Sequence, residues 1–161
     1  MASHNGNGPV LFAYDGSEYS KAAIREAGRQ LRAGRSAIVL NVFEPEASEP
    51  FAPSPMNAPT PLQEGLELDA SRLADEGAEL ARASGFDAEP SAEPGQPVWR
   101  RIVDAAREHD ASIVVMGSHG RTGLSLFLMG SIAAATARHT DRPVLIVHDR
   151  ASMKGNHDRT A

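Results

Sequence analysis

Short apolar runs, continuous rather than alternating, recur along the chain and limit the folds open to it. Continuous runs are typical of strands buried on both faces of a parallel sheet, because half-exposed strands alternate apolar and polar residues. Strands are predicted at four such runs, Val10–Tyr14, Ala37–Phe43, Ala111–Met116 and Pro143–His148. A fifth, more polar strand is predicted at Phe86–Ser91, and its polarity favours a sheet edge.

Between these runs, apolar residues recur every three or four positions and predict four amphipathic helices. They are expected at Ser17–Gly34, Leu62–Gly85, Pro97–His109 and Ser131–His139. Strands alternating with helices predict an α/β fold, with a parallel five-stranded sheet and helices on both faces. A ligand of such a sheet binds at the carboxyl ends of its central strands, where Asp15 and Gly117 would face each other if the first and fourth strands are neighbours.

The length of 161 residues suits one domain, which we predict at residues 9–148. The polar residues 1–8 and 149–161 are predicted to be a disordered N-terminus and a disordered tail. Residues 44–61 contain six prolines at positions 45, 50, 53, 55, 59 and 61, so we predict a mobile loop there.

Charge and composition exclude several function classes. The formal net charge of −5 disfavours binding to nucleic acid or to an anionic membrane surface. The absence of cysteine excludes disulfides and thiol catalysis, and the six histidines show no metal-ligand spacing. No apolar run is long enough to span a membrane and the N-terminus lacks the apolar stretch of a signal peptide, so we expect a cytoplasmic protein.

A glycine-rich segment from Gly117 to Ser131 connects the fourth strand to the fourth helix. Its glycines, at positions 117, 120, 123 and 130, allow close approach of backbone N–H groups to phosphate oxygens, and a helix N-terminus adds a favourable dipole. Ser131 adds a hydroxyl donor and Arg121 a positive charge. The segment therefore predicts a phosphate-binding loop, with a purely structural strand-to-helix turn as the alternative. We expect a bulky residue at Gly117 or Gly130 to block binding without unfolding the protein.

Other phosphate loops do not match. A Walker loop needs Gly-Lys-Ser/Thr, yet no lysine lies between Lys21 and Lys154. The dinucleotide fingerprint needs three spaced glycines after the first strand, where only Gly16 is present. A response regulator would have a lysine after the fifth strand, where His148 stands instead.

Two residues separate Gly117 from Gly120, and nine residues separate Gly120 from Gly130-Ser131. This spacing resembles the nucleotide-binding pattern of the universal stress protein family, ATP-binding subclass. Further segments match in the family's order over residues 9–148: Tyr14-Asp15-Gly16-Ser17, Asn41-Val42, Val114–Arg121 and Asp141–Val147. Two features depart from the family pattern: the proline-rich loop is long, and Asn41 stands where the family often has histidine.

The resemblance implies a Rossmann-like fold of the adenine nucleotide alpha hydrolase type, with strand order 3-2-1-4-5. It also implies ATP in the crevice, with any Mg or Mn ion held mainly by the phosphates, and a homodimer formed through the fifth strand, Val144–His148. An apolar edge strand favours that dimer independently, because pairing with a second copy covers the exposed edge.

The site residues carried over from the family divide by the part of the ligand that they would contact. Asp15 would hold the adenosine, and the backbone of Val42 the adenine edge. Gly117, Gly120, Gly130 and Ser131 would bind the phosphates. Ala13, Met116 and Ile132 would line the pocket. Asp15 is also explained as a turn acid or helix cap, and these roles are compatible.

Three functions remain open: an ATP-binding, stress-responsive regulator, a slow metal-assisted ATPase, or a protein-interaction module without nucleotide. The sequence offers no clear acid–base pair, and His119 is interpreted as a positional residue rather than a catalytic one. Enzyme activity, at most slow ATP hydrolysis, is left undecided by these residues.

Overall fold

The computed structural model of the chain describes residues 6–45, 60–121 and 129–149. Within these ranges one parallel sheet has the order β3-β2-β1-β4-β5, which confirms the predicted fold class and strand order. The strands are β1 (Val10–Ala13), β2 (Ser36–Phe43), β3 (Asp87–Pro94), β4 (Ile113–Gly117) and β5 (Val144–Val147). The helices are α1 (Glu18–Gln30), α2 (Pro61–Ala83), α3 (Val98–Glu108) and α4 (Ser131–His139).

Helices cover both faces of the sheet, as continuous apolar strands require. α1 and α2 bury one face, with a core that includes Phe12, Ile24 and Phe86, and the rings of Phe12 and Phe86 meet edge to face at 5.1 Å. α3 covers the other face over Leu11 and Leu40, and α4 packs against α3. β1 and β4 are therefore the neighbouring strands from which the sheet extends in opposite directions, to β2 and β3 on one side and to β5 on the other.

β3 is three residues longer than predicted at its C-terminal end, because its pairing with β2 continues to Phe43 opposite Pro94. Asp87 N–H donates to Arg35 O, and Gly95 N–H donates to Phe43 O. The odd-numbered residues of β3 therefore direct their backbone N–H and C=O groups toward β2. Pro90 and Pro94 therefore occupy positions whose backbone nitrogen faces away from the ladder. Proline is compatible with a strand at such edge positions.

α1 ends earlier than predicted. Its C-cap is Leu31, whose backbone is extended, and Gly34 lies beyond the helix with a φ of +78°. The helix starts where the sequence predicts, because Ser17 is its N-cap and the Ser17 hydroxyl accepts from Ser20 N–H at 3.2 Å. A side-chain cap of this kind satisfies one of the free amides of the first turn.

The segments predicted as disordered or mobile fall mostly outside the described residues, namely at 1–5, 46–59 and 150–161. Gly8, within the predicted disordered N-terminus, accepts hydrogen bonds from Arg35 at 3.1 Å and from Ser112 at 2.8 Å. α2 begins at Pro61, the last residue of the predicted loop. Of the helices in the described ranges, none has the length and apolarity needed to cross a membrane.

Candidate functional site

A cavity of about 490 Å³ opens at the carboxyl ends of the two central strands. Ala13 of β1 pairs with Met116 of β4 there, and the helices that follow the two strands diverge to opposite faces of the sheet. This divergence creates the ligand crevice of open α/β sheets. The structure brings all ten predicted site residues to this cavity: Ala13, Asp15, Val42, Met116, Gly117, Gly120, Arg121, Gly130, Ser131 and Ile132.

One end of the cavity is apolar. Strand residues Ala13, Leu40 and Val42 line it together with Val98 and Ile102 of α3. Both α3 residues belong to the amphipathic stripe of that helix, and Ile102 also contributes to the core. An apolar chamber walled by strand ends and a helix suits an aromatic or aliphatic group of a ligand.

The other end is polar and rich in main-chain donors. Ser118 N–H donates to Val147 O of β5 at 2.9 Å, and Gly130 N–H donates to Ser118 O at 2.7 Å, so the start of the glycine-rich segment is held to the sheet and its end is held to its start. Gly130 is the N-cap of α4 and supplies no side chain to cap the helix. The first-turn amides of α4 and the exposed Ser131 are therefore available to an anionic group.

Asp15 joins the two loops across the crevice. Its Oδ1 accepts from Ser17 N–H at 3.0 Å, and its main-chain oxygen accepts from Arg121 Nε at 2.8 Å. A Cβ added to Gly120 would lie 2.9 Å from Asp15 Oδ2, so only glycine fits that approach without a shift. Asp15 is thus both a turn acid and a cavity-lining carboxylate, as the two interpretations of the sequence allowed.

Contrary to the interpretation of the sequence, a bulky residue at Gly117 would strain the packing of the fold as well as fill the cavity, and the expectation that such a variant still folds stays a prediction. A Cβ there would lie 2.7 Å from the Tyr19 carbonyl carbon and 2.8 Å from Tyr19 Cβ. Gly117 is therefore a contact point between β4 and α1 as well as a cavity residue. At Gly130 the closest atoms are Ser118 O at 3.0 Å and His119 Cα at 3.4 Å, which is a tighter fit than most Cβ contacts but not a collision with a helix.

Other cavity residues escaped sequence reasoning. They are Tyr14, Ser20, Leu40, Asn41, Val98, Ile102, Ser118, His119, Met129 and Ala133. Several could have been found from their position next to a strand end, but Val98 and Ile102 look like ordinary core residues of a helix. His119 was interpreted as a positional residue but not as a cavity residue; its Nδ1 lies 3.0 Å from Ser118 Oγ and its ring 5.2 Å from that of Tyr19.

Tyr14 and Asn41 form the buried wall beside Asp15. Asn41 Nδ2 donates to Tyr14 O at 2.8 Å, and both residues are more than nine-tenths buried. Burial raises the pKa of the Tyr14 hydroxyl well above its ordinary value, and its hydrogen bond to the Glu76 carboxylate raises it further. Tyr14 therefore stays neutral, as a donor to Glu76, across the physiological range.

No group of three or more histidine or acidic side chains that could hold a metal ion occurs in the described part of the chain. Asp15 is the acidic side chain that lines the cavity.

Sequence comparison finds one family over most of the chain. The model of the universal stress protein family matches residues 6–148. A universal stress protein of Mycolicibacterium smegmatis is 31% identical over 153 residues, which are 93% of this chain and 49% of that protein. The chain thus spans about half the length of that relative. Universal stress protein YxiE of Bacillus subtilis is 27% identical, over 86% of this chain and 97% of its own length.

Solved structures agree with the fold. The MJ0577 protein superimposes with a TM-score of 0.74 at 24% identity, covering 91% of this chain and 99% of its own. A universal stress protein crystallised in complex with cAMP gives a TM-score of 0.62 at 26% identity, covering 89% of this chain and 98% of its own.

Proposed function

Because the chain belongs to the universal stress protein family, we propose that it binds an adenine nucleotide, with ATP as the ligand, and acts as a nucleotide-dependent regulator in a stress response. The observation that carries the proposal is the two-ended cavity. Its apolar chamber suits an adenine ring, and the glycine-rich turn with the N-terminus of α4 suits phosphates. The cAMP complex of a relative 26% identical to this chain supports an adenine nucleotide of some kind.

In this proposal each wall of the cavity has its own role. Val42 offers main-chain groups to the adenine edge, and Leu40, Val98 and Ile102 cover the ring. Asp15 accepts hydrogen bonds from the ribose hydroxyls. The backbone of Gly117, Gly120 and Gly130 and the hydroxyl of Ser131 bind the phosphates. Arg121 adds positive charge at that end while its Nε stays on Asp15 O.

Ser131 provides the sharpest test, because it is exposed at the first position of α4 and alanine there removes only a hydroxyl. We expect Ser131→Ala to weaken ATP binding roughly tenfold, about 1.4 kcal/mol, which is the loss of one hydrogen bond to a charged group. Adenosine, which lacks phosphates, should bind the variant as it binds the original protein. Isothermal titration calorimetry measures both affinities.

The matched control is Ser36→Ala at the first residue of β2, at the opposite end of the sheet. It should leave both affinities unchanged. Failure of the original protein to bind ATP would overturn the proposal. ATP binding that Ser131→Ala leaves intact would remove the Ser131 hydroxyl from the phosphate site. A preference for cAMP over ATP would keep the adenine site and change the ligand.

We also propose that two copies pair through the outer edge of β5. Pro143 O accepts from Val114 N–H of β4 and Val147 O accepts from Ser118 N–H directly after β4, so residues 144 and 146 direct their N–H and C=O groups outward. The opposite edge is less suited to pairing, since Pro90 and Pro94 lack donors there and Arg82 occupies Ala88 O at 2.9 Å. The cytoplasmic location expected from the sequence stays a prediction.

A further inference from the structure

Tyr14 connects the cavity to the face of α2. Its backbone follows β1 and lines the cavity, with Asp15 as the next residue, while its side chain points away toward α2. The hydroxyl donates to Glu76 Oε1 at 2.6 Å. The ring packs against Gly77, where an added Cβ would lie 2.8 Å from Tyr14 Cδ1. A side chain 62 positions further along the chain therefore holds the residue that precedes Asp15.

The Glu76 carboxylate has a second partner. Lys21 Nζ of α1 lies 3.1 Å from Glu76 Oε1 and 3.6 Å from Glu18 Oε1. Hydrogen bonds from Tyr14 and from Lys21 lower the pKa of Glu76, and the bond to Glu76 raises the pKa of Lys21. Glu76 is thus charged at neutral pH and ties together α1, α2 and the end of β1.

The backbone of Tyr14 is fixed from the opposite side. Tyr14 N–H donates to Leu40 O at 2.9 Å, and Tyr14 O accepts from Asn41 Nδ2 at 2.8 Å. The turn that follows is also seated on α2, since Gly16 has a φ of +80° and an added Cβ would lie 2.7 Å from Leu73 Cδ2. Tyr14 is therefore held by its side chain, its amide and its carbonyl.

We propose that Glu76 and Asn41 are positioning residues that hold Tyr14 at its two ends and so fix the turn that presents Asp15 to the ligand. The inference rests on the proposed function, because it concerns how the same cavity reaches its affinity. Neither residue needs to touch the ligand through its side chain for this role. A consequence is that α2, which has no phosphate-binding part, sets the affinity of the site through Glu76.

The test uses the full chain with three substitutions in α2 and titration with ATP. Glu76→Leu removes the acceptor, and we expect ATP to bind roughly tenfold more weakly, as for the loss of one hydrogen bond to a charged group. Glu76→Gln keeps an oxygen for the Tyr14 hydroxyl and should restore most of that affinity. Glu79→Leu, the same change at an exposed position of the same helix, should bind ATP normally.

Amide hydrogen exchange in the ligand-free protein, followed by NMR, separates positioning from general destabilisation. Ser17 N–H is bonded to Asp15 Oδ1, and Gly130 N–H is bonded to Ser118 O on the other side of the crevice. In Glu76→Leu the Ser17 amide should exchange faster while the Gly130 amide keeps its rate. If Glu76→Leu does not fold, Tyr14→Phe removes the same hydrogen bond with the ring in place and carries the same expectations.

Each other outcome overturns the inference. Unchanged ATP affinity in Glu76→Leu means that the contact does not position the site. Equal acceleration at Ser17 and Gly130 means a global loss of stability, and a Gln variant as weak as the Leu variant means that the hydrogen bond to Tyr14 is not what matters. No ATP binding by the original protein would instead overturn the proposed function itself, which distinguishes the two failures.

Discussion

At the scale of single residues, the glycines of the site serve different purposes. Gly120 lets the loop after β4 approach Asp15, and Gly130 leaves the N-terminus of α4 without a capping side chain. Gly117 instead lies against the backbone of Tyr19 in α1, where a methyl group has no space. A spacing of glycines alone does not separate these roles, because each depends on which backbone lies opposite.

Gly117→Ala should therefore destabilise the protein, whatever its effect on binding. A Cβ 2.7 Å from the backbone of α1 forces the helix to move, and overpacking of this kind costs about 1–3 kcal/mol. Chemical denaturation followed by circular dichroism measures the change in the free energy of unfolding. Gly65→Ala is the control, because nothing lies within 4 Å of its Cβ position in α2 and alanine favours a helix interior. A Gly117→Ala variant as stable as the original protein would contradict the packing role.

At the scale of elements, α2 has two halves with different surroundings. Its C-terminal part buries a stripe of small residues against the sheet, Ala70, Ala74, Gly77, Ala78 and Ala81. Its first turns are exposed, and Leu62 and Leu68 are more than half accessible. A capping box supports this start: the Thr60 hydroxyl accepts from Gln63 N–H at 3.2 Å and Gln63 Oε1 accepts from Thr60 N–H at 3.0 Å.

Thr60→Ala should consequently loosen the start of α2 rather than the whole fold. Loss of an N-cap costs about 1 kcal/mol of helix stability, and the first turns have little packing to compensate for it. We expect faster amide exchange in residues 63–66, with exchange near Gly77 unchanged because that part is buried. Thr60→Ser keeps a hydroxyl and should behave as the original protein does. Acceleration that extends to Gly77 would show that the two halves open as one unit.

At the scale of the whole molecule, the two sheet edges differ in what they offer a partner. The outward positions of β3 include prolines and a carbonyl already bonded to Arg82. β5 is an apolar strand whose four residues are each partly exposed. A twofold pairing of β5 with its copy would cover these residues and satisfy the outward main-chain groups.

Ile146→Pro tests this proposed dimer. Residue 146 directs its N–H away from β4, so proline removes a donor from the outer edge and leaves the β4 ladder intact. We expect a smaller dimer fraction in sedimentation velocity at a given concentration. Ile146→Val keeps the N–H and should sediment as the original protein does. A monomeric original protein would contradict the dimer, and a Pro variant that dimerises fully would place the interface elsewhere.

Much of the site was predictable because it is local in the sequence. Asp15, Gly117, Gly120, Gly130 and Ser131 follow strand ends or begin a helix, and turn chemistry marks such positions. Val98 and Ile102 gave no such signal, since an apolar stripe on a helix predicts burial without saying whether it covers a sheet or a cavity. Their role required knowing how far α3 extends over β2.

The sequence by itself determined the succession of strands and helices, the parallel sheet and the glycine-rich turn, because periodicity and turn residues are properties of neighbours along the chain. Only the tertiary structure decided that Gly117 supports α1, that α3 completes the cavity, and that Glu76 reaches Tyr14 across 62 positions. These contacts depend on how helices pack over a twisted sheet. That packing is set by the combined shapes of many side chains, so no single segment specifies it.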